Sequence, residues 1–193
     1  RLRHLRGDLG RRLRLHQPHE LRRALRERWQ QVEHLLRRLA RKEMLPAIFF
    51  IFSRVGCERA AEEVALALER GLLPALLSPG ESERVTERVN EFREQNPELP
   101  IEERRAELLA KGLGVHHAGM LPLEKKIVEG LFQDGLLRAV FATETLSAGI
   151  NMPARCTVVT SLAKRGDNGI EPLAASNLLQ MAGRAGRRGK DDI

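Results

Sequence analysis

Tyrosine is absent from this sequence, and six Phe and one Trp are its only aromatic residues. So few rings supply a poor stacking platform for unpaired bases. Cysteine occurs only at Cys57 and Cys156, which excludes a disulfide scaffold and a four-cysteine zinc site. No run approaches the ~18 apolar residues of a membrane span. What remains is a chain of 193 residues with 42% hydrophobic content, enough for one cored domain with or without an appendage. Arg1 in place of Met points to a fragment or a processed chain. The polar, arginine-rich start does not read as a secretory signal. The expectation is an intracellular, soluble chain in a reducing compartment, with cytoplasm, nucleus and plastid all open.

Several chemistries are missing as well. No Gly-x-x-x-x-Gly-Lys-Ser/Thr loop occurs, because Gly189-Lys190 runs into Asp191 and lacks the upstream glycine. No acidic cluster ends an apolar strand to hold magnesium. A nucleotide hydrolase needs both parts. Neither a Gly-x-Ser-x-Gly elbow nor a nucleophilic cysteine setting is present. The adjacent His116 and His117 invite a zinc reading, but consecutive strand residues point to opposite faces. No metal site is expected, and a loop beside a phosphate backbone suits His116–Met120 better.

Charge is unevenly placed. Residues 1–42 carry 14 Lys and Arg against 4 acids, while residues 43–193 carry 19 against 22. The basic block fits a polyanion partner. A genome-wide arginine bias explains it equally well, since Arg outnumbers Lys 27 to 6.

The pattern along the chain alternates strands and helices. From Pro18, apolar residues at 21, 25, 29, 32, 36 and 39 recur at helical spacing, and Pro46 is read as the stop. Ala47–Phe52 is a continuous apolar run, expected as a buried strand. Ser53 is placed to cap a helix that Gly71 stops, with Ala60, Val64 and Leu68 on one face. Residues 78–112 read as an acidic helical insertion opened by Ser78-Pro79 and broken at Pro97 and Pro100. Strands are expected at 114–116, 137–142 and 157–160, with a helix from Pro122 to about Asp134 between the first two. Gly166-Asp167-Asn168-Gly169 is a turn signal within a hairpin or projecting loop, and a last helix is expected over 172–181. The fold class is therefore α/β, a layered domain with a mostly parallel sheet flanked by helices. Ligands of such sheets lie beyond the carboxyl ends of strands. That rule places Ser53-Arg54, the 143–153 loop and the glycine-arginine tail at one working edge.

Three segments are candidates for chemistry. In Gln180–Gly189, glycines permit close approach and arginines three apart present forks suited to phosphate. A flexible basic tail is the plain alternative. In Phe141–Pro153, a buried strand delivers Thr143, Thr145 and Ser147, then Gly149 and Asn151. Phosphate or ribose contact competes there with simple loop capping. His116–Met120 is the third.

Taken in order, these segments resemble the second motor domain of a superfamily-two helicase over residues 45–190. Gln180–Gly189 resembles motif VI, Thr143–Pro153 motif V, and Phe52-Ser53-Arg54 motif IV. Gln180 opens motif VI where DEAD-box proteins usually carry His. His116-His117-Ala118-Gly119-Met120-Leu121-Pro122 and Ala142-Thr143-Glu144-Thr145 are similar to the Ski-type DExH-box RNA helicases. The related DNA repair branch more often has Pro at the position of Glu144, which favours single-stranded RNA over DNA.

The resemblance implies a RecA-like fold at 46–193, with the helical insertion at about 78–112, after an arginine-rich linker and amphipathic helix at 1–45. It implies that Arg184 and Arg187 reach ATP, with Arg187 the finger, and that Gln180, Gly149 and Asn151 adjoin the nucleotide. Ser53, Arg54, His117, Gly119 and Thr143 would line the strand, and a strand-separating hairpin would carry Lys164, Arg165 and Asn168. ATP and Mg2+ would be held mainly by a first RecA-like domain of the same polypeptide, leaving this chain inactive alone. An RNA-processing complex would be the setting. The alternatives are a DNA-unwinding repair helicase and a non-catalytic basic binding module.

Overall fold

The Ala-Ile-Phe-Phe of β1 (Ala47–Phe50) is buried at every residue. The computed structural model describes residues 31–98, 101–147, 152, 154–166 and 169–186. It sets β1 inside a four-stranded sheet with β2 (Leu113–His116), β3 (Ala139–Ala142) and β4 (Cys156–Val159). The order is β2-β3-β1-β4 and every pairing is parallel. Register aligns Val115, Phe141, Phe49 and Val158 in one row across the sheet. The strands are shorter than the apolar runs that announced them, because residues such as Ile51 and Leu137 are buried outside the ladder. No helix among the described residues is long and apolar enough to cross a membrane.

Helix α1, described over 31–41, buries Val32, Leu36 and Leu39 in the same core as β1. It stops earlier than Pro46. Glu43 takes a left-handed φ of 56°, and the amides of Glu43 and Met44 return to Ala40 and Leu39. That double closure ends a helix without proline. The first turns of this amphipathic stretch, with residues 21, 25 and 29, lie outside the described residues.

Helix α2 (Arg54–Glu69) begins where Ser53 Oγ accepts the Gly56 amide at 3.1 Å. Its buried face is Gly56, Cys57, Ala60, Ala61, Val64, Ala65 and Ala67. Small residues let the helix approach β2 and β3 closely. α3 (Pro79–Gln95) opens on a full capping box between Ser78 and Glu81, and α4 (Glu103–Ala110) follows the Pro97 break. α3 buries only Val85 and Val89, so its acidic face is largely solvated as its composition predicts. Both helices contribute to the one core, through Val85, Val89, Leu108 and Leu109.

Helix α5 (Pro122–Gln133) links β2 to β3. β5 (Ala163–Gly166) and β6 (Gly169–Pro172) form the expected antiparallel hairpin. The last helix, α6 (Ala175–Ala182), starts later than expected because Pro172 closes the hairpin opposite Ala163. Proline fits such an edge position, where no ladder amide is needed.

Candidate functional site

The carboxyl ends of β1, β2 and β3 deliver three loops side by side. Ile51 N donates to Ala142 O at 2.8 Å, and Thr143 N donates to His116 O at 3.2 Å. Ser53-Arg54, His117–Gly119 and Thr143–Ser147 thus leave one sheet edge together. Arg54 is exposed, as are Ala118 and Gly119. A Cβ added at Gly119 would lie 3.4 Å from Arg54 Cδ, so the two loops are in contact. Thr143 Oγ1 lies 2.9 Å from Thr145 Oγ1, and Leu146 is buried beneath them. Ser53 keeps its oxygen on the α2 amide, so the first turn of α2 points its positive end at this edge.

The two histidines face opposite layers. His116 Nε2 lies 2.8 Å from Glu129 Oε1 of α5, whereas His117 Nε2 lies 3.0 Å from Glu58 Oε1 of α2. Both rings are buried. His117 Nδ1 accepts the Gly119 amide at 3.1 Å, so both its nitrogens are engaged inside the domain. Its ring shapes the loop, while the exposed part is Ala118 and Gly119. No group of three or more metal-ligating side chains occurs among the described residues.

Burial holds the pKa of His116 below the ordinary histidine value, against the opposing pull of Glu129. The neutral ring is therefore the folded form, and the unfolded chain takes up the extra proton. Stability from this site is fully present above the unfolded pKa of about 6.5 and is lost as pH falls below it. Thermal unfolding at pH 7.5 and 5.5 is expected to show a larger drop for the wild type than for His116→Asn. Equal drops would show that His116 is not the group responsible.

The glycine-arginine segment is not at this edge, which corrects the expectation of one working edge. Ala154 N donates to Arg184 O at 2.8 Å, Gly186 N donates to Ala154 O at 2.9 Å, and Ala154 and Ala185 form a parallel bridge. Ala154 precedes β4, so Arg184 flanks the amino end of that strand. The hairpin starts α6 near the carboxyl edge, where Asn177 Nδ2 donates to Glu144 Oε2 at 3.3 Å. The helix then runs back past the sheet. Gln180 is exposed and Arg184 half-buried along that flank. Arg187, Gly149 and Asn151 lie outside the described residues.

Lys164 of β5 points into the domain, 2.7 and 2.8 Å from the two Glu144 oxygens. Arg165 sits beside Ile170 in the hairpin register, and Asn168 lies outside the described residues. The sequence did not single out Glu58, Arg105, Glu124 or Glu129. Their side-chain pairs span 13 to 59 positions, which no local pattern announces; only Glu124 also has a local role, three residues along from Leu121, whose amide its Oε2 accepts.

Parallel strands wrapped by helices, with one edge of loops and a separate arginine-bearing flank, define a RecA-like α/β domain. The profile described as "Helicase conserved C-terminal domain" matches residues 69–189, and the chain belongs to that family. The chain is 46% identical over 162 residues to the chloroplastic DExH-box ATP-dependent RNA helicase DExH15 of Arabidopsis thaliana. That match covers 84% of this chain and 13% of the relative. It is 40% identical over 156 residues to the ATP-dependent RNA helicase mtr4 of Schizosaccharomyces pombe, covering 78% and 13%. The human Superkiller complex protein 2 is 40% identical over 162 residues, covering 81% and 12%. The chain thus spans about an eighth of the length of these relatives. It resembles the second motor domain of the Ski-type DExH-box RNA helicases.

Proposed function

We propose that this chain is the second motor domain of an ATP-dependent RNA helicase. The reading is carried by one observation: the 53–54, 117–119 and 143–147 loops leave the same sheet edge, well apart from the Arg184–Gly186 flank. One surface grips a strand and the other meets a nucleotide. At the edge, the Arg54 guanidinium, the Thr143 hydroxyl and the α2 N-terminus bind backbone phosphates without reading bases, and Gly119 lets the strand come close. His117 acts on the strand through the loop it holds. At the flank, Arg184 and Arg187 approach ATP bound by a first RecA-like domain, with Gln180, Gly149 and Asn151 beside the nucleotide. Mg2+ belongs with that first domain, since this sequence has no P-loop. The 193-residue chain alone is then expected to show no turnover. Residues 46–193 are the motor unit, α1 packs on it as an entry helix, and the β5–β6 hairpin, tied to Glu144 through Lys164, separates strands with Arg165 and Asn168. The relatives named as RNA helicases favour RNA over DNA, and the one named for a complex favours a larger assembly.

The test is ATP hydrolysis by the full-length protein with single-stranded RNA, with single-stranded DNA and with neither. RNA is expected to stimulate strongly and DNA weakly. Arg54→Ala is expected to raise the RNA concentration needed for half-stimulation and to lower the salt slope of RNA binding by about one. Equal stimulation by DNA would move the protein to the repair branch. No stimulation by either would leave only a basic binding module.

A further inference from the structure

The loop that follows β2 is held at both ends by one side chain from elsewhere. Arg105, in the third residue of α4, donates from Nη2 to Glu58 Oε1 at 2.8 Å. From Nη1 it donates to Glu124 Oε1, also at 2.8 Å. Each carboxylate then holds one end of residues 117–121. Glu58 Oε1 meets His117 Nε2 at 3.0 Å, and His117 Nδ1 accepts the Gly119 amide at 3.1 Å. Because Nδ1 accepts, Nε2 carries the proton and donates to Glu58. On the other side, Glu124 Oε2 accepts the Leu121 amide at 2.9 Å. The planar fork of one guanidinium therefore closes a circuit that contains both the Gly119 and the Leu121 amides. A lysine has no such fork and would serve one carboxylate at a time.

We propose that Arg105 is a positioning residue that sets the 117–121 loop, and through it the grip on single-stranded RNA; the RNA half of this rests on the function proposed above. Through Arg105, α4 governs the exposed Ala118-Gly119 tip that meets Arg54. The neighbouring Arg104 pairs instead with Glu62 at 2.8 Å, away from the loop, and serves as the control.

The experiment uses the 15N-labelled chain with Arg105→Ala, Arg105→Lys and Arg104→Ala. Hydrogen exchange at the Gly119 and Leu121 amides is expected to quicken about tenfold in Arg105→Ala, the loss of a charge-assisted hydrogen bond. It quickens less in Arg105→Lys and stays at the wild-type rate in Arg104→Ala. The Gly56 amide, capped by Ser53, is expected to be unaffected in all three. A single-stranded oligouridylate is then titrated and followed at the Gly119 amide. Arg105→Ala is expected to weaken binding about tenfold with an unchanged salt slope, since Arg105 releases no phosphate counterion. Unchanged exchange at both amides, or equal acceleration at Gly56, overturns the proposal. A salt slope lowered by about one makes Arg105 a direct phosphate contact, which also overturns it. A wild-type chain that does not bind the oligouridylate overturns the strand-grip reading, while the exchange rates still decide whether Arg105 sets the loop.

Discussion

Replacing Arg187 by alanine in the full-length protein is expected to lower the kcat of RNA-stimulated ATP hydrolysis by about 10³-fold or more. An arginine that reaches a transferring phosphoryl group typically contributes that much, because it neutralises charge that develops only in the transition state. Gly186, the residue before Arg187 in the sequence, holds a φ of 89° and donates its amide to Ala154 O at 2.9 Å. Arg184 is tied to the same residue through its carbonyl oxygen. Arg184→Ala is expected to lower kcat as well, by less than Arg187→Ala. RNA affinity, read by fluorescence anisotropy without nucleotide, is expected to stay at the wild-type value in both variants, because this flank is remote from the carboxyl edge. Activity within about tenfold of wild type in Arg187→Ala would remove the finger assignment. A parallel loss of RNA affinity would place these arginines on the strand instead.

The separation of the two surfaces is the part of the site that was least legible in the sequence. β1 announces itself by an unbroken apolar run, α3 by Ser78-Pro79 with Glu81, and the hairpin by its Gly-Asp-Asn-Gly turn. Each is a local signal with a local cause. The position of Arg184 depends on lengths instead. An eight-residue helix rises about 12 Å, close to the ~13 Å of a four-residue strand. α6 therefore carries the chain from the carboxyl edge back to the amino end of β4, and Arg184 ends up on a different side from Arg54. The alternation of a strand correctly sends His116 and His117 to opposite faces. It says nothing about Glu58, Glu129 or Arg105, whose bonds span 13 to 59 positions. Long-range ion pairs leave no periodicity, so the residues that hold the site are harder to read than those that form it.

Phe141→Ala is expected to destabilise the chain by about 3–5 kcal/mol, the usual cost of deleting a buried phenylalanine ring. Phe141 is fully buried, and its ring centroid lies 5.3 Å from that of Phe49 at an interplanar angle of 35°. Register places Phe141 between Phe49 and Val115 in the row facing α2. The alanine-rich face of α2 has no long side chains to fill the space left behind, so the cavity persists. Domains of this size are stable by about 5–15 kcal/mol, so the loss is about a fifth or more of the total. Urea unfolding is the measurement, with Phe141→Leu as the volume-sparing comparison and Val55→Ala, 60% exposed, as the surface control. The midpoint is expected to fall steeply for Phe141→Ala, by a fraction of that for Phe141→Leu, and hardly at all for Val55→Ala, at constant m. A midpoint for Phe141→Ala equal to the surface control would mean that the Phe49–Phe141 row is not the centre of the core. Because Ala142 and Thr143 follow directly, partial loss of β3 is also expected to loosen the strand grip before the domain unfolds. RNA affinity should therefore fall at urea concentrations where the wild type still binds.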